Sequence, residues 1–82
     1  MKPDELRKLV HQNTKNLAYF RDMLKDGKKN VAHLISKTEC DVCEAKGKSY
    51  VFDIDPDAPF VGKTKSSRRM VVCPECLEKA AE

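Results

Sequence analysis

Two Cys-x-x-Cys pairs, Cys40/Cys43 and Cys73/Cys76, constrain this chain more than anything else in it, and they account for all four of its cysteines. Two such pairs in one short chain predict a single tetrahedral metal site with four thiolate ligands. Four thiolates complete the shell of a zinc ion and leave no position for a substrate, so the site reads as structural. The chain has 82 residues, of which 35% are charged and 6% aromatic. A chain so small and polar buries little apolar surface and needs a staple. One structural Zn2+ supplies an apparent binding free energy on the order of 10–16 kcal/mol, enough to decide folding.

Disulfides compete for the same cysteines. The chain opens Met1-Lys2-Pro3-Asp4-Glu5 with no apolar targeting region behind it, and no stretch has the length and apolarity of a membrane span. The expectation is a cytoplasmic protein, where paired cysteines serve metals rather than disulfides. A thioredoxin-type redox pair would stand alone in a βαβ pattern, and that pattern is not seen.

Residues 4–26 are expected to form one long amphipathic helix, with Pro3 at its first position, Asp4 and Glu5 in its first turn and Gly27 as its stop. Leu6, Val10, Asn13, Leu17, Phe20 and Leu24 fall in heptad order, a seam to be covered by the metal module folding back on it, by a second chain or by a docking partner, with Asn13 read as a register-fixing polar position against the simpler reading of an exposed residue. Residues 28–37 read as a shorter helix capped by Asn30, with Val31, Leu34 and Ile35 on its apolar face. The two together predict a helical hairpin over 1–38, a dimerisation or docking segment.

The remaining residues, 39–82, are expected to form the metal module. Cys40-Asp41-Val42-Cys43 opens a knuckle. Ser49 to Ile54 reads as a strand with Tyr50, Phe52 and Ile54 on one face, and Pro56 and Pro59 end it. Gly62 to Ser67 reads as an exposed loop, and Arg69 to Val72 as the returning strand. Cys73 is placed as a helix N-cap, with Pro74 at the first helical position, so that Cys73 and Cys76 meet the positive end of a helix dipole. The fold class expected is therefore a small zinc-stabilised α+β domain: helical hairpin, knuckle, β-hairpin and C-terminal helix.

The order of knuckle, hairpin and ligand-bearing helix over 39–82 resembles the treble-clef group of zinc fingers. Within that group Cys40-Asp41-Val42-Cys43 and Cys73-Pro74-Glu75-Cys76-Leu77 are similar to the ligand pairs of the Clp unfoldase zinc-binding domain and of the DksA/TraR transcription regulators. The resemblance implies the four cysteines as zinc ligands. Glu44 stands where a Gly often follows such a pair. The 29 residues between Cys43 and Cys73 also match the spacing of rubredoxins. That leaves iron and electron transfer as a remote alternative, although rubredoxin pairs are followed by Gly, and here Glu44 and Leu77 follow.

Charge alternates along the chain: +5 over residues 1–38, −4 over 39–57, +4 over 58–72 and −2 over 73–82. Lys63, Lys65, Arg68 and Arg69 form the third block and are candidates for phosphate contact with RNA or DNA, against the simpler reading of a solvated loop. Asp53, Asp55 and Asp57 alternate, but Ala58 and Thr64 stand where a calcium loop needs Gly and Glu. His11 and His33 are expected on helix surfaces. No nucleophile–base pair and no phosphate-cradling Gly motif is seen, so an enzyme and a small-molecule substrate are not expected. Two binding functions follow. The first is a zinc-dependent regulator of transcription or another nucleic-acid machine, and the second is a protein–protein adaptor without nucleic-acid contact. A homodimer or a larger machine is the expected protein partner, and no membrane is.

Overall fold

The computed structural model describes residues 1–55 and 60–82, the side chains of His33 and Phe60 excepted. The strand end expected at Pro56 to Pro59, and any role of Asp57, lie outside the described residues, as does the side chain of His33.

Helix α1 spans Pro3–Val10 and starts as its sequence implies, with Pro3, Asp4 and Glu5 in the first turn. The continuous helix expected over 4–26 is in fact two, because the chain leaves the helical path at His11 and re-enters as α2, Thr14–Lys29. The local reason is Asn13. Its side chain accepts the Asn16 backbone N–H at 2.8 Å, capping α2 from an extended backbone. Buried Asn16 then fixes the corner. Its Nδ2 donates to the Leu9 carbonyl at 3.1 Å, and its Oδ1 accepts the Val61 N–H at 3.2 Å.

Gly27 does not stop α2, which runs through it to Lys29. Tyr50 packs there, and a Cβ at Gly27 would overlap the tyrosine hydroxyl and lie 2.6 Å from its ring Cε1. The helix expected over 28–37 is replaced by a single 3₁₀ turn, Val31–His33, and a strand β1, Ile35–Glu39. Lys37, with φ of 61°, sits outside helical geometry, and β-branched Ile35 and Thr38 favour the extended chain.

Strand β2, Lys46–Asp55, organises an antiparallel sheet. Its first half pairs with β1, Thr38 opposite Gly47 and Glu39 opposite Lys46. Its second half pairs with β4, Arg68–Val72, in the register Tyr50 opposite Val72 through Ile54 opposite Arg68. The short β3, Phe60–Val61, pairs with the end of β2. Helix α3, Pro74–Ala81, follows β4 directly.

Tyr50, Phe52 and Ile54 are buried on one face of β2, with Met70 and Val72 beside them on β4. Leu6, Leu9, Val10, Phe20 and Leu24 from α1 and α2 join the same core, as do Leu77 and Ala80 of α3. Phe20 meets Phe52 edge to face with ring centroids 4.9 Å apart. The heptad seam is thus consumed within the chain. Leu6, Val10, Phe20 and Leu24 are buried, Leu17 is half-buried, and Asn13 is an exposed cap rather than a core polar residue. Among the described residues no helix is long and apolar enough to cross a membrane.

Candidate metal centre

Cys40 follows β1, and a tight turn carries the chain to Cys43. The turn closes when the Glu44 N–H donates to the Cys40 carbonyl at 2.9 Å and the Cys40 N–H to that of Ala45 at 2.9 Å. This closure puts Glu44 at φ of 62°, the left-handed region that glycine favours. Asp41 fastens the turn to β4: its N–H donates to the Val71 carbonyl, and its Oδ2 accepts the Val71 N–H, both at 2.8 Å. Since β4 runs straight into Cys73, those two bonds hold the first cysteine pair beside the second. Cys73 is the N-cap of α3 and Pro74 occupies its first turn, which brings Cys76 to the same point.

The four sulfurs lie within 4.8 Å of one another. Cys43 Sγ is 3.5 Å from Cys73 Sγ, and Cys40 Sγ is 3.9 Å from Cys76 Sγ. A tetrahedral ion with metal–sulfur bonds of about 2.3 Å places its sulfurs about 3.8 Å apart. A disulfide requires about 2.05 Å, and all four cysteines are free. The donor set therefore fits one metal ion, and four thiolates accept zinc or iron alike.

The electrostatics favour a cation. Burial pushes the Cys40 thiol up, but the backbone N–H groups of Cys43, Cys73 and Val42 outweigh it and lower the thiol from 9.0 to about 7. Those donors stand 3.5, 3.3 and 3.4 Å from the sulfur. Burial raises Cys73 and Cys76; the thiols of Cys73, Cys43 and Cys40 add to the rise at Cys76, whereas at Cys73 the hydrogen bonds from Cys76 oppose it. One sulfur is thus prepared as a thiolate beside two, Cys73 and Cys76, that resist joining it, a conflict that a bound divalent ion removes. Cys43 is exposed and Cys76 half-buried, in a groove that Arg7 and Lys79 also line.

The other residues singled out by sequence are placed apart from this centre. Lys63 and Lys65 are exposed in the loop between β3 and β4, where Ser67 Oγ donates to the Thr64 carbonyl at 2.8 Å. Arg68 and Arg69 are exposed on β4 and share a groove with Glu5 and Asp41, so carboxylates stand beside half of that basic block. Asp55 is buried and accepts the Thr64 hydroxyl at 2.9 Å. Among the described residues only the cysteines form a ligand cluster. His11 is committed elsewhere, its Nε2 2.8 Å from the Ala80 carbonyl, tying α1 to α3. Sequence reasoning missed Asn16, whose partner Val61 is 45 positions away.

The chain matches no protein-family model, no curated protein and no solved structure.

Proposed function

We propose that this chain is a non-enzymatic regulatory module of transcription or another nucleic-acid machine, folded around one structural zinc ion and binding nucleic acid through exposed cations. The observation that carries the metal reading is the cluster of four sulfurs within 4.8 Å, reached from two different elements. Cys40, Cys43, Cys73 and Cys76 would hold the ion, which supplies the positive charge and cross-link that four crowded thiolates need. Zinc is preferred to iron because Glu44 and Leu77, rather than the Gly of rubredoxin pairs, follow the two cysteine pairs. The order of ligand turn, antiparallel strands and ligand-bearing helix supports a treble-clef-like arrangement. A filled four-thiolate shell supports the non-enzymatic reading.

Metal analysis of protein purified without added metal tests the centre. One zinc per chain and a colourless solution are expected; iron with visible absorption would refute the zinc reading. A second reading, a protein–protein adaptor, is favoured by the half-exposed Tyr19, Val31 and Ile35. A salt titration separates the two, because affinity carried by phosphate contacts falls linearly with log salt.

A further inference from the structure

Strand β1 and the start of β2 form a ribbon that no other element covers. Ile35, Ser36, Lys37 and Glu39 are exposed, as are Lys46, Gly47 and Lys48 opposite them, and Thr38 is half-buried. Successive residues of a strand face opposite ways, so exposure of the whole run leaves both faces of the ribbon open. Its cations are Lys37, Lys46 and Lys48, and its carboxylate is Glu39, opposite Lys46. Among the described residues Lys37, Lys46 and Lys48 have no carboxylate within salt-bridge distance.

We infer that this ribbon is the surface that contacts the phosphodiester backbone of a nucleic-acid duplex, without reading its sequence. The inference rests on the nucleic-acid reading above and moves the contact away from the Lys63–Arg69 block, where Arg68 and Arg69 share a groove with two carboxylates, Glu5 and Asp41, against the single Glu39 beside Lys37 and Lys46 on the ribbon. Three observations favour this occupant. A two-stranded ribbon is a shape that the major groove admits. Lys46 and Lys48 lie on one face about 6.7 Å apart, about two nucleotide rises of 3.4 Å along a strand. The register shift between Ile35 and Thr38, with Lys37 at φ of 61°, interrupts the free edge of β1 and blocks the addition of a peptide strand there. The ribbon carries no aromatic side chain on which a base would stack, so contacts are limited to phosphates.

The test is fluorescence anisotropy with the zinc-loaded full chain and labelled random-sequence duplex DNA, over a range of salt. Each lysine that neutralises a phosphate contributes about 0.9 to the slope of log affinity against log salt. The triple variant Lys37→Gln/Lys46→Gln/Lys48→Gln is expected to lose about 2.7 of that slope, and Lys48→Gln alone about 0.9. Zinc content and melting temperature should stay unchanged, since these side chains are exposed. The variant Lys63→Gln/Lys65→Gln should keep the wild-type slope. Loss of slope in the loop variant but not the ribbon variant would overturn the inference and leave the nucleic-acid reading standing. Wild-type protein that fails to bind duplex at low salt would remove both. Competition by polyglutamate as strong as by DNA would overturn it in favour of an acidic polypeptide.

Discussion

Glu44 is held in left-handed backbone by the turn that presents Cys40 and Cys43. A residue with a Cβ there costs roughly 1–2 kcal/mol, which glycine avoids at some expense in chain entropy. Glu44→Gly should therefore stabilise the zinc-loaded protein by about 0.5–1 kcal/mol, read as a higher denaturant midpoint at constant m. A lower midpoint would show that the Glu44 side chain contributes something its exposure does not reveal. Asn16 is the opposite case. Replacing it with Ala strips the Val61 N–H of its side-chain partner and leaves the Leu9 carbonyl only the Gln12 N–H, at 3.3 Å, in a buried corner. That should cost about 2–3 kcal/mol, against about 1 kcal/mol for Asn13→Ala, where only the cap is lost. Equal costs would mean that water replaces Asn16. Cys40, Cys43, Cys73 and Cys76 were legible from spacing alone, because metal ligation requires paired residues at fixed offsets. At Asn13 the sequence does not separate a cap from a polar heptad position, since both are isolated polar residues in an apolar pattern. Asn16 was invisible, since its role depends on a strand far along the chain.

Elements were legible where a single local rule dominated. Tyr50, Phe52 and Ile54 alternate, so β2 and its buried face follow; Cys73-Pro74 starts α3. The helix expected over 28–37 failed because Val31, Leu34 and Ile35 satisfy a helical spacing, yet pairing Ile35–Glu39 with β2 satisfies backbone groups that a short isolated helix would not. The sequence around Gly27 points to a stop because nothing local signals Tyr50, whose ring fills the space a Cβ would take. Helix propensity alone predicts that Gly27→Ala stabilises α2 by about 1 kcal/mol. Packing predicts the reverse, because Tyr50 must be displaced from a buried site, at about 1–3 kcal/mol. We expect the net effect to be destabilising by thermal melting, and a rise in melting temperature would show that the ring moves freely. Tyr50 also sets an alkaline limit. Burial raises its phenol above the usual 10.0, and Glu78 and Asp26 add to the rise. Its folded-state value therefore exceeds its unfolded one, so the stabilisation is complete below about pH 10 and is lost as pH rises through the folded value. Tyr50→Phe should flatten the fall in stability above pH 10, and an unchanged slope would assign that fall to another group.

At the scale of the molecule, the helices and the metal centre share one core. Phe20 meets Phe52, Leu6 and Leu77 belong to the same buried cluster, and His11 bonds the last turn of α3. The sequence suggested a rod of about 33 Å for 22 helical residues, yet the longest extent of the whole chain is 29 Å, because α1 and α2 fold back on the sheet. A boundary at residue 38 falls inside β1, Ile35–Glu39, whose partner strand leads into the core. Structural zinc supplies on the order of 10–16 kcal/mol, as much as the entire stability of an ordinary small domain, about 5–15 kcal/mol. Without the proposed ion, four thiols, two of them buried, would meet at the junction of β1, β4 and α3. Chelation, or Cys76→Ser, is therefore expected to unfold the whole chain in one transition: far-ultraviolet helical signal from residues 3–29 should vanish together with the tertiary signal of Tyr50. Readdition of zinc should restore both for the wild type and neither for Cys76→Ser. If the helical signal of α1 and α2 outlived the metal, the N-terminal helices would be an independent unit, as the heptad pattern on its own implies, and the shared core would be too weak to couple them.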